Sequence, residues 1–366
     1  MQSENKPYAP RRLFTPGPLT TDDRVRQSML VDQGSREPAF ITTTQNIRLK
    51  LLEVAQASKD RYTVVPLTGS GTSLLEAALG TFTTSEQRLL IIENGHYGRR
   101  LAAIAESLGV FTETLSFQES ASIDLEKVTA YLDRNSDFHH VAMVHCETAT
   151  GVLNPIAPLA KLTAERGINL FLDAMSTFGG IPMDLNALNI GCVVASANKC
   201  IEGLPGIAFA IVNKQLLHRS DLQPKSYSLN LVKQWEMLEQ TGQFRFTPAV
   251  QVMMALDTAL DLLQEETVFH RYSRYRKIQR NISTGMSNLG FRCSVDSSIQ
   301  SPIITSFDYP SAAFDFGRFY RFLAERGLII YPGKLSSRES FRIGNIGQIT
   351  DDDVNELIAA VGAYQA

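Results

Sequence analysis

Seven short apolar runs between Tyr62 and Val212 constrain the fold of this chain more than any other feature. They read YTVVPL, RLLIIEN, FTETLSF, HVAMVHC, INLFLDA, CVVASAN and IAFAIVN, and helical segments of roughly 10 to 15 residues separate most of them. A strand with one wet face alternates apolar and polar side chains. These runs are apolar almost throughout, so both of their faces must be covered. Strands alternating with helices predict an α/β fold, with a mainly parallel seven-stranded sheet flanked by helices. Such sheets bind ligands beyond the carboxyl ends of their strands, so the polar residues that follow the runs carry the interest.

The flanks predict a second, smaller unit. Residues 1–12 are polar and expected to be loosely ordered until they dock. FTPGPLTTDD reads as a Pro-Gly turn and a helix start capped by Thr20 or Thr21. Ile47, Leu51, Val54 and Ala55 then fall on one helical face. Residues 214–247 read as irregular and polar around the single tryptophan, Trp235. AVQVMMALDTALDLLQEE is a long amphipathic helix, and HRYSRYRKIQRNISTGMSNLG a basic one. Strands over Phe291–Val295 and Ser301–Phe307, a helix around Phe314–Arg326, the strands LIIYP and FRIGN and a terminal helix from Asp351 make an α+β tail. The division expected is a large domain over 13–255 and a small one over 256–366, with segment 1–20 against the small domain.

Composition excludes several function classes. Of 366 residues 44% are hydrophobic and 20% charged, with a net charge of −3, the profile of a globular protein without a nucleic-acid surface. The basic helix therefore reads as a solvated face. No stretch approaches the ~18 apolar residues of a membrane span, and MQSENKPYAPRR has no apolar leader core. Cys146, Cys192, Cys200 and Cys293 form no CxxC pair, and Cys146 and Cys192 read as buried thiols of a reducing compartment. A cytoplasmic location and no metal site are expected.

In VVASANKCIEGLPG a strand ends in Ser196 and Asn198 and delivers Lys199 to a glycine-rich turn. INLFLDA delivers Asp173 to the end of the preceding strand. A lone lysine most often caps a loop and a lone aspartate a helix. Together at strand ends they are the two charges that a pyridoxal phosphate site requires: an amine for the aldehyde and a carboxylate to keep the pyridine nitrogen protonated. Gly69-Ser70-Gly71-Thr72 turns into a helix whose N-terminus suits a phosphate, and it lacks the lysine of a nucleotide P-loop. Tyr97, between glycines after RLLIIEN, can stack on a planar ring, with His96 as a neighbouring loop residue. CETATGVLNP reads as a turn at Asn154-Pro155 before the next helix, and it carries the hydroxyls of Thr148 and Thr150. Thr247 in FRFTP reads as a helix cap before Pro248. Arg342 in FRIGNIG has the planar fork that suits a carboxylate or phosphonate.

These segments, in this order, resemble the class V family of fold type I pyridoxal-phosphate-dependent aminotransferases. The likeness runs from about residue 13 to 365, through FTPGPLTT, GSGTSLLEA, ENGHYG, DAMSTFGGIPMD, SANKCIEGLPG, FRFTP, YPGK and FRIGNIG. GGIPMD, SANKCIEG and IYPGK…FRIGNIG are most similar to the branch that moves an amino group from 2-aminoethylphosphonate to pyruvate. The resemblance implies Lys199 as Schiff-base lysine and Asp173 as partner of the pyridine nitrogen. It further implies Ser70, Gly71, Thr72, Tyr97, Thr148 and Ser196 around the cofactor, and Arg342 for the substrate carboxylate. It implies a homodimer in which Thr247 reaches the neighbouring subunit's cofactor phosphate. VDQGSREPAF resembles the arginine loop of relatives that grip a phosphorylated substrate, which adds Arg36 as a second anion contact. Two other readings stay open: an alanine–glyoxylate or serine–pyruvate type transaminase, and a lyase acting on a related aminophosphonate.

Overall fold

In a computed structural model, which describes residues 11–365, the seven runs form strands. They are β1 (Tyr62–Thr68), β2 (Arg88–Glu93), β3 (Phe111–Ser116), β4 (Phe138–Val144), β5 (Asn169–Asp173), β6 (Cys192–Ser196) and β7 (Ile207–Asn213). They join one sheet in the order β1-β7-β6-β5-β4-β2-β3. All neighbouring pairs are parallel except those of β7, which runs against both β1 and β6. In the inner strands successive side chains feed two separate cores, so those runs show no polar alternation; β3, at the sheet edge, is the exception, with the alternating and partly exposed run FTETLS. Val141, Met143, Leu170, Leu172 and Val193 face one, and Ala142, Phe171, Val194 and Ala210 the other. Each large aliphatic side chain buried this way contributes about 1.5–3 kcal/mol.

The helices divide between those cores. Helices α1 (Pro38–Val54), α4 (Leu125–Arg134), α5 (Ile156–Ala164) and α7 (Val250–Glu266) close the first. Helices α2 (Gly71–Phe82), α3 (His96–Ser107) and α6 (Leu231–Thr241) close the second. Helix α6 corrects the expectation that 214–247 is irregular. Asn230 caps it through the Lys233 N–H at 3.0 Å, and Leu231, Gln234 and Leu238 bury one stripe. Its apolar pattern is too sparse to stand out in sequence.

Beyond α7 come α8 (Val268–Asn288), β8 (Ile304–Asp308), α9 (Phe316–Ala324), β9 (Tyr331–Pro332), β10 (Ser340–Gly344) and α10 (Asp351–Gln365). The strands form an antiparallel sheet, β8-β10-β9, over an aromatic core of Phe291, Phe307, Phe319 and Phe341. Phe291–Val295 is not a strand; one bridge, Cys293 to Phe307, is all that pairs there. LIIYP splits in two. Leu328–Ile329 pairs in parallel with Arg12–Leu13, while Tyr331–Pro332 pairs with β10, because the chain passes from one sheet to another at Ile330. Residues 1–10, expected to be loosely ordered until they dock, lie outside the described residues. From Arg12 onward the segment is tied to this unit: Phe14 enters the aromatic core and its carbonyl accepts the Gly344 N–H at 3.0 Å.

Two expected caps move. Asp22, not Thr20 or Thr21, caps the helix Asp23–Gln27, accepting the Arg24 N–H at 2.8 Å. A carboxylate at that position also complements the helix dipole. Thr247 caps nothing: α7 begins at Val250 after Ala249, without a side-chain cap. Among the described residues no helix is long and apolar enough to cross a membrane.

The basic helix α8 keeps Arg276, Lys277 and Arg280 exposed but turns Arg271 and Arg274 inward. Arg271 is 1% exposed; it donates to the carbonyls of Cys200 (2.9 Å) and Ile201 (3.1 Å) and to Glu266 (2.7 Å). Arg274 and the Tyr275 hydroxyl bind the buried Glu202 at 2.9 and 2.6 Å. This network clamps the turn directly after Lys199. Replacing Arg271 with alanine takes the guanidinium from the Cys200 and Ile201 carbonyls and leaves Glu266 to Arg274 alone. Arg271→Ala should cost about 3–5 kcal/mol of stability, read as a lower urea midpoint; an unchanged midpoint would remove the clamp from this account.

Candidate active site

The carboxyl ends of β1, β4, β5 and β6 surround a cavity of about 480 Å³. Asp173 closes β5 in register with Val194 of β6, and Lys199 follows three residues after β6 ends. Both line the cavity, with Ser70, Gly71, Thr72, Tyr97, Thr148 and Ser196. Eight of the residues singled out in the sequence therefore converge, from loops as much as 129 residues apart (199 − 70).

Asp173 is buried, 4% exposed, and its one hydrogen bond is from the Met175 N–H at 3.0 Å. Burial pushes its carboxyl up, while that N–H, Arg100 and Lys199 pull the other way. Lys199 Nζ donates to the Pro16 carbonyl at 2.6 Å. Burial lowers its pKa; the nearby Tyr97 opposes this, and the Arg342 and Arg100 charges add to it. Among the described residues neither group forms an ion pair. A buried carboxylate without a cation and a half-buried amine without an anion are costly unless a bound group completes them. A protonated ring nitrogen and an aldehyde are such groups.

Gly69 exits β1 with φ of +150° and donates to the Gly206 carbonyl at 2.8 Å, tying the exit of β1 to the entry of β7. Ser70 then caps α2. Its hydroxyl takes the Ser73 N–H at 3.2 Å and the Ser73 hydroxyl answers the Ser70 N–H at 3.1 Å. The Gly71 and Thr72 N–H groups of the first turn stay available, at the positive end of the helix, for an anion. Gly71 has no room for a Cβ, which would collide with Met175.

Glu147, absent from the sequence reading, holds Tyr97. This buried carboxylate accepts the N–H groups of Tyr97 (2.9 Å), Gly98 (3.2 Å) and Ala149 (3.3 Å), so it caps α3 from a separate loop. Burial raises its pKa to about 7 against those three donors. A negatively charged residue amid the apolar run HVAMVHCE was the available signal. His96 is the first residue of α3 rather than part of a loop, packed edge-on to Tyr97 at 5.2 Å.

Three cations surround Tyr97. The Arg100 guanidinium lies 4.6 Å from its ring centroid and Lys334 Nζ 5.1 Å. Arg342 is buried on β10 and donates to the carbonyls of Pro332 (2.9 Å) and Thr148 (3.0 Å). Burial would raise the Tyr97 phenol, yet Arg342, Lys334, a hydrogen bond with Thr148 and Lys199 hold it below the usual phenol range. Arg100, also missed in sequence, lines the cavity with a buried Nε that has no hydrogen-bond partner. Its position one turn after Tyr97 on a helix was the only clue.

The remaining residues lie apart in the single chain. Arg342 meets the cavity only through Thr148 and Tyr97. Thr150 is buried behind the loop, its hydroxyl on the Glu147 carbonyl at 3.1 Å. Thr247 and Arg36 are exposed and line no part of the cavity. Large apolar side chains are exposed in the same two segments or beside them: Leu30 (82%), Val31 (66%), Tyr227 (81%) and Phe246 (49%). The four cysteines are unpaired, and Cys146, Cys192 and Cys200 are buried. No cluster of metal-ligating side chains occurs among the described residues.

Comparison with known proteins agrees with this geometry. The chain is 43% identical over 359 residues to a 2-aminoethylphosphonate–pyruvate transaminase of Bacteroides fragilis, covering 97% of this chain and 98% of that one. Among solved structures it is similar to an alanine–glyoxylate aminotransferase of a Nostoc species, with a TM-score of 0.91 at 23% identity, covering 100% of this chain and 98% of that one. It is similar also to a pyridoxamine–pyruvate aminotransferase of Mesorhizobium loti, with a TM-score of 0.90 at 22% identity, covering 98% and 93%. At those identities the two structures speak for the fold alone. The profile of one family, aminotransferase class V, matches residues 29–350. With the sheet, the cavity and the near-complete match to a relative in hand, the chain belongs to the class V aminotransferases.

Proposed function

We propose that this chain is a pyridoxal-phosphate-dependent transaminase that moves the amino group of 2-aminoethylphosphonate to pyruvate, releasing phosphonoacetaldehyde and L-alanine. The observation that carries the reading is the pair Asp173 and Lys199, a buried carboxylate and a half-buried amine without ionic partners in one cavity. The 43% identity to a 2-aminoethylphosphonate–pyruvate transaminase supports the choice of donor and acceptor.

The residues present fit the cofactor. Asp173 would hold the pyridine nitrogen, Lys199 the aldehyde carbon, and Ser70, Gly71 and Thr72 the phosphate. Tyr97 would lie against the ring, and Thr148 and Ser196 offer hydroxyls at its edge. When bound, pyridoxal phosphate supplies a protonated ring that accepts the bonding electrons of the substrate carbon. Lys199 would take the proton from the amine-bearing carbon of the donor and deliver it to the carbon that was the cofactor's aldehyde, and would run the same transfer in reverse when pyruvate enters. Burial raises the Asp173 pKa and a cation beside it would favour the ionised form, a role that the protonated ring nitrogen would fill. Arg342, already oriented by Pro332 and Thr148, holds the pyruvate carboxylate. The cavity is lined from a 13–255 portion, and a 256–366 portion would bring Arg342 to its edge. The exposed Leu30, Val31, Tyr227 and Phe246 surface supports a homodimer, in which Thr247 and Arg36 would reach the cavity of the second copy. Unpaired cysteines support a cytoplasmic setting.

The test is the visible spectrum of the protein loaded with pyridoxal phosphate. Adding 2-aminoethylphosphonate alone should abolish the long-wavelength band, and pyruvate should restore it. A band unmoved by this donor would transfer the assignment to an alanine–glyoxylate or serine–pyruvate type reaction. Borohydride reduction should fix the cofactor mass to the Lys199 peptide. Lys199→Ala should lose that mass and at least about a thousandfold in rate.

The lowered Lys199 pKa sets a pH dependence. The amine must be neutral to take a proton, and burial makes the neutral form available at lower pH. Single-turnover rates with the donor should rise with pH through a group titrating below the ordinary lysine value of about 10.4. An acid limb at that ordinary value would sink the role. For the dimer, Thr247→Ala should release the cofactor about 2- to 10-fold more readily, measured by dialysis. Sedimentation as a monomer would remove the shared site.

A further inference from the structure

The donor and acceptor of the proposed reaction differ in charge. Pyruvate carries one negative charge, whereas the phosphonate of 2-aminoethylphosphonate carries up to two. One buried arginine is matched to the first. The structure contains a second cation that arrives on the same hairpin as that arginine, and it has no assigned task.

Lys334 lies two residues after Pro332, whose carbonyl Arg342 grips at 2.9 Å. Strand β9 pairs Tyr331 with Arg342 and Pro332 with Phe341, so the hairpin fixes both cations relative to each other. Gly333, between Pro332 and Lys334, donates to the Ser340 carbonyl at 2.9 Å, and a Cβ there would collide with Ser340. The backbone leading to Lys334 is thus held closely against β10. Lys334 Nζ then reaches Tyr97 at 5.1 Å from the ring centroid and the His96 Nε2 at 3.4 Å. Tyr97 is a cavity wall, so Lys334 sits at its rim, exposed to solvent. Among the described residues it forms no ion pair; the nearby Glu119 is taken by Arg99 and Ser336. Burial lowers the His96 pKa, and the charges of Lys334, Arg100, Arg99 and Arg342 lower it further. A neutral imidazole can accept from Lys334 and neutralises none of its charge. Glu119 pairs with Arg99, whereas Lys334, Arg100 and Arg342 form no ion pair among the described residues, so the rim of the cavity keeps an excess of positive charge.

We propose that Lys334 is the specificity-determining residue for the phosphonate of the amino donor, adding to Arg342 the second charge that a dianion needs and a carboxylate does not. The proposal rests on the function assigned above. Arg342 spends two of its donors on carbonyls, which leaves part of its fork for a ligand oxygen. Lys334, a point charge on a flexible stem, can close on the remaining phosphonate oxygens. Both substrates use the same cavity in turn, and the lysine serves only the one with the larger charge.

The experiment measures calorimetric binding of ethylphosphonate and ethanesulfonate to the cofactor-loaded protein, at a pH where the phosphonate is a dianion. The two probes share a shape and differ by one charge. Wild type should prefer ethylphosphonate. Lys334→Gln should weaken ethylphosphonate about 10- to 100-fold, change ethanesulfonate and the KM for pyruvate by no more than about threefold, and leave the cofactor spectrum in place. Lys334→Arg should restore most of the loss. Binding of ethylphosphonate to Lys334→Gln within twofold of wild type would overturn the proposal. Equal loss of both probes without rescue by arginine would also overturn it, by showing a merely structural loop. Should wild type bind ethylphosphonate through Lys334 yet form no alanine from 2-aminoethylphosphonate and pyruvate, the assigned reaction fails and the anion site stands.

Discussion

An unpaired carboxylate and an unpaired amine, held in one cavity and kept from each other, are the constraint on which this structure depends. Two free opposite charges in a low-dielectric site attract strongly and would collapse into an ion pair if the backbone allowed it. Here it does not. Asp173 is anchored by the Met175 N–H and Lys199 by the Pro16 carbonyl, so each is held by main chain. Much of the surrounding architecture serves that separation. The parallel sheet fixes the two strand ends, the Arg271 and Glu202 network clamps the turn beyond Lys199, and the Thr15–Pro18 segment presents the carbonyl that holds the amine.

The N-terminal segment links that separation to the small C-terminal unit. Its carbonyl at Phe14 is held by Gly344, and Gly347 leaves no room for a Cβ against the Thr20 carbonyl, 2.6 Å away. Gly17 passes so close to Lys199 that a Cβ would lie 2.7 Å from Nζ. The amine is thus touched by main chain that packs on β10, the strand that bears Arg342. Arg342 and Lys199 are both positioned from β10, the middle strand of the small sheet, so a displacement of that sheet would be felt at both. Glu147 does the same for the opposite wall, fixing Tyr97 by three backbone hydrogen bonds rather than by packing alone.

Charge is distributed with a purpose around these fixed points. Asp173 is the buried anion, while Arg100, Lys334 and Arg342 crowd the aromatic wall. A bound molecule that is cationic at its ring and anionic at its extremities would satisfy both. Arg100 Nε, buried without an acceptor, is the clearest sign that the wall is incomplete by itself.

The α/β sheet was legible in the sequence because strands buried on both faces must be apolar almost throughout, as six of the seven runs are; FTETLSF, the partly exposed edge strand, is the exception. Asp173 and Lys199 were legible because charged residues ending such runs have a defined place at the carboxyl edge. The grouping of eight residues in one cavity could be expected from that rule, but only the fold brought them to it. Helix α6 escaped because its buried stripe is narrow, and the Phe291–Val295 run misled because apolar content does not by itself pair a strand. Glu147, Arg100 and Lys334 were invisible for a different reason. Their significance lies in what they face, and a sequence holds no distances between a loop at 147, a helix at 96–107 and a hairpin at 331–344. Periodicity and strand-end chemistry are local and can be read from the chain; the field around Tyr97 is a sum over residues up to about 250 positions apart, and only tertiary structure performs that sum.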